Sequence, residues 1–178
     1  MAVTSDGITV AKFGGTSVAT AEQLRKVQRI VDSDARRRII VPSAPGKAHP
    51  KDTKITDLLY LAQQLASKRL PLGEAWDAIA TRFRQIAADL QVKVDLEPTL
   101  VDVRTRIENG GSADYAASRG EAIHGLVLAA LLDAEYVDAA EVIFFDRAGR
   151  LDSRTYDAIR RRCSGPGRFV IPGFYGSA

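Results

Sequence analysis

Short apolar runs alternate with longer stretches of helical spacing along this chain. Short apolar runs predict strands at 8–11, 38–41 and 168–172. The last two are continuous, as expected of strands that are covered on both faces. Apolar residues three and four positions apart predict helices over 21–34, 55–68, 72–90, 98–108, 113–132 and 154–162. Residues 135–138 and 141–145 fit short strands or loops. Strands that alternate with helices indicate an α/β fold, with three αβα layers and a mainly parallel sheet.

The sequence also predicts where the first helix begins. Thr20 and Gln23 have the spacing of a capping box, in which side chains satisfy the free amides of the first turn. The apolar side chains that follow share one face, which we expect to be buried: Leu24, Val27, Ile30 and Val31.

The composition of the 178 residues is that of a globular chain, with 46% hydrophobic and 26% charged residues. The single cysteine, Cys163, excludes an internal disulfide and suits a reducing cytoplasm, where we expect the protein to be. No apolar run is long enough to span a bilayer and no leader sequence is visible, so we expect no membrane partner.

Basic residues outnumber acidic ones, giving a net charge of +3, and arginines cluster at 36–38 and 160–162. The first cluster follows a predicted helix and the second forms the end of one, where cations complement the partial negative charge of the last turn. Aromatic residues are not interleaved with them as in nucleic-acid-binding surfaces, so we expect no nucleic-acid partner. The same surplus of positive charge favours anionic substrates.

The candidate chemistry lies where the first strand ends. Lys12 comes near the end of the run 7–13, and Gly14 and Gly15 lead through two hydroxyl residues towards the first helix. A strand, a glycine corner and a helix start form a place where backbone amides can face a phosphate. The same spacing also fits an ordinary tight turn, and neither the P-loop nor the dinucleotide fingerprint is present.

Four short segments, spread over nearly the whole chain, carry a more specific signal. They read K-F-G-G-T-S-V at 12–18, V-P-S-A-P-G-K at 41–47, S-R-G-E at 118–121 and V-I-P-G-F-Y-G-S at 170–177. In this order they resemble motifs of the aspartate kinases, within the amino acid kinase family. The resemblance implies that residues 1–178 form the N-terminal, amino-acid-binding portion of a kinase domain. The C-terminal nucleotide-binding portion and the regulatory ACT domains are expected to be absent, so the fold is expected to be truncated.

The resemblance also implies which residues hold the two substrates, ATP and L-aspartate. The residues matched to ATP phosphate contacts are Lys12, Gly14, Gly15, Ser17 and Ser43. Those matched to L-aspartate contacts are Thr56, Glu121 and Phe174. Lys12 is the implied catalytic residue, because a lysine there would stabilise the charge on the phosphoryl group as it moves. Glu121 would pair with the α-ammonium of the amino acid.

The implied reaction is phosphoryl transfer from ATP to the side-chain carboxylate of L-aspartate. It gives 4-phospho-L-aspartate, the first step towards lysine, threonine and methionine. ATP would arrive with Mg²⁺, whose protein ligand is expected in the absent portion, so we expect neither a metal site nor a tightly bound cofactor in this chain. The intact enzyme is expected to be a homo-oligomer. The chain alone is expected to bind L-aspartate weakly, if at all, and to be inactive.

The chain departs from the family pattern at two positions. His124 stands where the family often has serine in G-E-x-x-S, and Pro42 precedes Ser43 where valine is usual. His49 and His124 lack metal-ligand spacing, so structural roles are predicted for both. Two alternative functions stay open at this point. The chain could be a non-catalytic module that associates with a kinase partner, or another member of the family, such as a glutamate or uridylate kinase.

Overall fold

Four parallel strands form the sheet at the centre of the computed structural model, which describes residues 7–177. The strands, in the spatial order β1-β2-β4-β3, are β1 (Thr9–Phe13), β2 (Arg37–Pro42), β3 (Glu135–Tyr136) and β4 (Phe169–Val170). Because parallel strands have their carboxyl ends at the same edge of a sheet, the segments that follow β1, β2 and β4 come together there.

Helices cover both faces of this sheet. They are α1 (Ala21–Asp32), α2 (Ile55–Ser67), α3 (Gly73–Leu90), α4 (Glu97–Glu108), α5 (Ala113–Leu132), α6 (Ala139–Val142) and α7 (Arg154–Arg162). Successive side chains of β4 point to opposite faces of the sheet. Val170 joins the core formed with α1–α5, whereas Phe169 joins a second core beside α6 and α7. The predicted three-layer αβα fold is therefore confirmed. Of the helices in residues 7–177, none is long and apolar enough to cross a membrane.

Helix bounds mostly follow the sequence pattern. α5 and α7 have the predicted bounds, and α1 begins after Thr20, whose hydroxyl accepts a hydrogen bond from the Gln23 amide at 3.3 Å. The predicted burial of Ile30 is wrong, because this residue is 47% exposed. Ile30 comes one position before the buried Val31 and so points about 100° away from it around the helix.

Residues 141–145 begin differently from the predicted strand or loop. The Asp138 side chain accepts a hydrogen bond from the Ala140 amide at 2.9 Å and caps the four-residue helix α6, which takes up the start of this segment. Phe144 and Phe145 then form isolated β-bridges. A helix of a single turn has no periodic apolar pattern, so the sequence could not distinguish it from a short strand.

The pairing register aligns the ends of β1 and β2. Lys12 lies opposite Val41, and Phe13 lies opposite Pro42. The Ser43 amide then donates to the Phe13 carbonyl at 3.0 Å, so the two chain segments leave the sheet side by side. This register brings the first two motif segments of the sequence next to each other.

Candidate functional site

Two glycine-containing loops meet beyond β1 and β2: the first glycine loop, residues 14–17, and the second glycine loop, residues 43–47. The Gly46 amide donates to the Gly15 carbonyl at 2.9 Å. A Cβ on Gly46 would lie 2.8 Å from the carbonyl carbon of Gly15, and a Cβ on Gly15 would lie 3.0 Å from the Ala44 carbonyl oxygen. Neither glycine has a positive φ, so close backbone approach is the reason for both.

Glu121 reaches the same point through α5. Its neighbour Gly120 lies so close to the second glycine loop that a Cβ there would be 2.9 Å from the Cβ of Ala44. A Cβ on Gly173 would lie 2.9 Å from Glu121 Oε2, so the carboxylate rests against the segment that follows β4. Three segments that are far apart in the sequence thus meet around one carboxylate.

The environment of Glu121 favours a cationic ligand. Burial raises the pKa of Glu121 above its ordinary value, because the half-buried carboxylate loses hydration. The Lys12 ammonium and the amides of Ala44 and Gly173 act in the opposite direction without cancelling this effect. A further positive group beside the carboxylate would therefore stabilise its ionised form.

A cleft of about 590 Å³ opens beside Glu121. Four of the predicted ligand-binding residues line it: Gly15, Ser43, Thr56 and Glu121. Lys12 is exposed next to them, with its Nζ 4.0 Å from the position that a Cβ on Gly14 would take. The charge of Lys12 lowers the pKa of Glu121, so the two side chains act on each other across this region.

Gly14, Ser17 and Phe174 do not line this cleft. Ser17 is exposed in the 3-10 turn Gly15–Val18, where its amide donates to the Gly14 carbonyl at 2.9 Å. Phe174 is 63% exposed, has a φ of +75° and lines a neighbouring cavity with Tyr175. A left-handed conformation is uncommon for an aromatic residue, so this segment stores backbone strain. The ligand contacts of these three residues stay predictions.

The cleft also contains basic residues that were not matched to ligand contacts in the sequence. Lys47, His49 and Lys54 line it together with Thr56. The three basic residues belong to residues 47–54, here called the basic loop, which contains three lysines and one histidine but a single acid. This local concentration of basic residues is the sequence feature that could have indicated an anion-binding role for the loop. A cleft lined by one glutamate and two lysines fits a small ligand with more negative than positive charge.

His124 has the structural role that its lack of metal-ligand spacing predicts. It lies one turn after Glu121 on α5, is fully buried, and places its Nδ1 2.8 Å from the Ser43 carbonyl oxygen. Its ring centroid lies 6.3 Å from that of Phe83. Burial lowers the pKa of His124 to about 4, against the effect of the bond to Ser43, so the ring is neutral at neutral pH.

A slightly larger cavity, of about 650 Å³, lies beside α7 and contains none of the predicted ligand-binding residues. Within residues 7–177, no group of three or more His, Cys, Asp or Glu side chains is placed to hold a metal ion. The convergence of motif segments, rather than cavity size, therefore identifies the cleft beside Glu121 as the candidate site. Its position beyond the strand ends is the one expected for a parallel α/β sheet.

The fold and the motif segments around this cleft agree with one protein family. A family model described as the amino acid kinase family matches residues 7–178, and the chain belongs to that family.

Three relatives narrow the comparison to one branch of the family. Aspartokinase 3 of Bacillus subtilis is 34% identical, over 94% of this chain and 40% of that protein. The crystal structure of Clostridium acetobutylicum aspartate kinase is 48% identical with a TM-score of 0.92, over 96% of this chain and 40% of that chain. E. coli aspartokinase III, solved with aspartate and ADP, is 26% identical with a TM-score of 0.75, over 96% and 41%. The chain thus spans about 40% of the length of these relatives.

Proposed function

We propose that this chain is the amino-acid-binding portion of an aspartate kinase, which transfers a phosphoryl group from ATP to the side-chain carboxylate of L-aspartate. Family membership and the likeness to aspartate kinases support the class of reaction. The observation that carries the proposal is the half-buried Glu121 carboxylate, which lies at the cleft and interacts electrostatically with Lys12.

On the amino-acid side of the proposed site, Glu121 pairs with the α-ammonium of L-aspartate. This pairing offsets the lost hydration that raises the pKa of Glu121. The Thr56 hydroxyl, at the same cleft, donates a hydrogen bond to a carboxylate oxygen of the substrate. Phe174 closes over the amino acid in the proposed complex, which requires its exposed and strained segment to move.

On the phosphate side, the amides of Gly14 and Gly15 face the phosphates of ATP, and Ser17 and Ser43 donate hydroxyl hydrogen bonds to them. Lys12 neutralises the charge that develops as the γ-phosphoryl group moves from ADP to the aspartate carboxylate. The exposed position of its ammonium beside Gly14 supports this role. Phosphoryl transfer needs charge neutralisation and positioning rather than a covalent intermediate, so these residue types suffice on this side.

ATP is proposed to enter as its Mg²⁺ complex. The protein ligand of this ion is proposed to lie elsewhere in the enzyme, as the resemblance to the aspartate kinases implies. The relative solved with aspartate and ADP supports the choice of both substrates. We also propose that the complete enzyme is a cytoplasmic homo-oligomer in which a C-terminal portion completes the nucleotide site. The free, buried thiol of Cys163 suits that compartment.

Titration of the isotope-labelled 178-residue chain with L-aspartate, followed by NMR, tests the binding part of the proposal. We expect weak but saturable shifts at the amides of Ala44, Thr56 and Gly173, which surround Glu121. Glu121→Gln should abolish them, because it removes the partner of the substrate ammonium. The matched control is Glu141→Gln, which alters an acid in the cavity beside α7 and should leave the titration unchanged. Shifts that persist in Glu121→Gln, or that Glu141→Gln also abolishes, would contradict the proposal.

The same titration distinguishes the alternative functions within the family. L-glutamate and UMP are the substrates of the alternative kinases, so each is added in place of L-aspartate and then in competition with it. The proposal predicts that L-aspartate binds more tightly than either. Tighter binding of L-glutamate or UMP would assign the cleft to another member of the family.

A further inference from the structure

Asp52 holds the backbone of the basic loop through hydrogen bonds to other residues of that loop. It is the single acid among residues 47–54. Its side chain accepts hydrogen bonds from the amides of Ala48, at 2.8 Å, and Thr53, at 2.9 Å. Its own amide donates to the His49 carbonyl at 3.0 Å. One carboxylate thus fixes the path of the loop that carries the lysines of the cleft.

An ion pair ties this loop to α3, because Arg82 Nη2 donates to Asp52 Oδ2, the oxygen that also accepts from Ala48. The side chains of Asp52 and Arg82 are only 15% and 19% exposed. In every other ion pair between described residues, both partners are more exposed than this. The pair is therefore less screened by water and salt than an ordinary surface pair.

The ionisation state of Asp52 supports its role in holding the basic loop to α3. Burial acts to raise the pKa of Asp52, but the Ala48 amide, the Arg82 guanidinium and the Thr53 amide outweigh it and lower the pKa. The Asp52 carboxylate is therefore ionised at neutral pH and can hold the Arg82 guanidinium.

Arg82 and Phe83, which are adjacent on α3, influence the two ends of segment 43–54, several residues of which line the cleft. Arg82 pairs with Asp52 near the end of the basic loop. Phe83 packs near His124, which in turn holds the carbonyl of Ser43 at the start of the second glycine loop. Because α3 contributes no lining residue to the cleft, its structural effect on a ligand passes through these loops.

We propose that Arg82 is a positioning residue for the anionic substrate: through Asp52, it holds the basic loop against α3 so that Lys47 and Lys54 face the cleft opposite Glu121. The inference rests on the proposed function in taking the dicarboxylate L-aspartate as the ligand. Without the ion pair, the loop samples arrangements in which these lysines leave the cleft. The apparent affinity then falls in proportion to the fraction of molecules that stays competent to bind.

Three substitutions and one control test this role. Arg82→Met removes the charge but keeps the apolar stem, Arg82→Lys restores a single charge, and Asp52→Asn weakens the pair from the other side. The control is Arg84→Met, on the same helix, because Arg84 pairs with Glu97 at the surface, where the two side chains are 52% and 55% exposed. Thermal unfolding followed by circular dichroism establishes that each variant is folded. Asp52→Asn carries the test if Arg82→Met does not fold.

Hydrogen exchange at the amides of Ala48 and Thr53, measured by NMR on the 178-residue chain, reports on the loop directly and needs no ligand. We expect exchange at these amides to accelerate about tenfold in Arg82→Met and in Asp52→Asn, with partial recovery in Arg82→Lys. Arg84→Met should exchange like the unsubstituted chain. Exchange that stays unchanged in both loop-anchor variants overturns the proposal.

Titration of the same variants with L-aspartate measures the consequence for binding. We expect the dissociation constant to rise about tenfold in Arg82→Met and to stay unchanged in Arg84→Met. A loop that exchanges faster while the dissociation constant stays the same overturns the positioning role and leaves the proposed function intact. L-aspartate binding that persists in Glu121→Gln contradicts the proposed function instead, and the exchange rates then decide the role of the Arg82–Asp52 anchor by themselves.

Discussion

His124 Nδ1 lies 2.8 Å from the carbonyl oxygen of Ser43, so a fully buried ring fixes the start of the second glycine loop relative to α5. Because a carbonyl only accepts hydrogen bonds, the neutral ring must carry its proton on Nδ1. Its Nε2 is buried without a hydrogen-bond partner among the described residues. The contact couples the helix that carries Glu121 to the loop that carries Ser43.

Substitution of His124 by asparagine or by phenylalanine separates the hydrogen bond from the packing. The asparagine side-chain amide can donate from near the Nδ1 position, whereas phenylalanine fills the space but leaves the Ser43 carbonyl unpaired. We therefore expect His124→Phe to weaken L-aspartate binding more than His124→Asn, as measured by NMR titration. A phenylalanine variant that binds L-aspartate as tightly as the unsubstituted chain would show that the hydrogen bond does not position the loop.

His124 also predicts how stability depends on pH. Its pKa is about 4 in the folded chain, against an ordinary value of 6.5, so the unfolded state binds more protons between these values. The free energy of unfolding should therefore fall as the pH drops from about 6.5 to about 4, by roughly 3 kcal/mol in total, with no effect of this group above that window. Urea unfolding at several pH values should show a shallower dependence for His124→Asn than for the unsubstituted chain. Equal dependence in both would refute this origin.

Backbone approach between the glycine loops predicts unequal effects of alanine at two glycines. A Cβ on Gly46 would lie 2.8 Å from the carbonyl carbon of Gly15, so Gly46→Ala should lower the free energy of unfolding by about 1–3 kcal/mol. Gly14 is the matched control, since its Cβ position is 4.0 Å from Lys12 Nζ and its φ of −77° suits alanine. Gly14→Ala should change stability by less than about 0.5 kcal/mol. Urea unfolding of both variants measures these changes. Equal losses in the free energy of unfolding would count against the close packing of the two glycine loops.

The raised pKa of Glu121 predicts that this charge destabilises the ligand-free chain. Between the ordinary value of 4.5 and the raised value, the folded state binds more protons than the unfolded state. The free energy of unfolding should therefore fall as the pH rises through that window and stay lower above it. Glu121→Gln removes this effect, so at pH 7 the variant should be at least as stable as the unsubstituted chain. A clear loss of stability in chemical unfolding would contradict this interpretation of the site.

Elements with strong local signals were predictable from the sequence. α5 has its predicted bounds because Ser112 caps it, accepting a hydrogen bond from the Tyr115 amide at 3.0 Å, and Asp133 ends it in a left-handed conformation. α6 was not predictable, since one turn of helix has no period. Ile30 shows a further limit, because an apolar residue near a buried stripe can still face solvent.

The candidate site was predictable as a set of motifs but not as an arrangement. The motif residues Ser43 and Glu121 do line one cleft, and the parallel register of β1 and β2 explains why the first two motifs meet. The contacts that hold the cleft join distant positions, such as Arg82 with Asp52 and His124 with Ser43. Neither pair leaves a periodic or motif signal in the sequence, so only the folded chain reveals it.

Aspartate-dependent release of ADP measures whether Lys12 and Glu121 serve one phosphoryl transfer. The protein for this assay is a chimera in which residues 7–178 replace the matching segment of Clostridium acetobutylicum aspartate kinase, with which this chain shares 48% identity and a TM-score of 0.92. We expect the chimera to release ADP when L-aspartate is present, and Lys12→Met to lower kcat by about 100-fold without unfolding the protein. A folded chimera whose ADP release does not depend on L-aspartate, or is unaffected by Lys12→Met, would contradict this expectation.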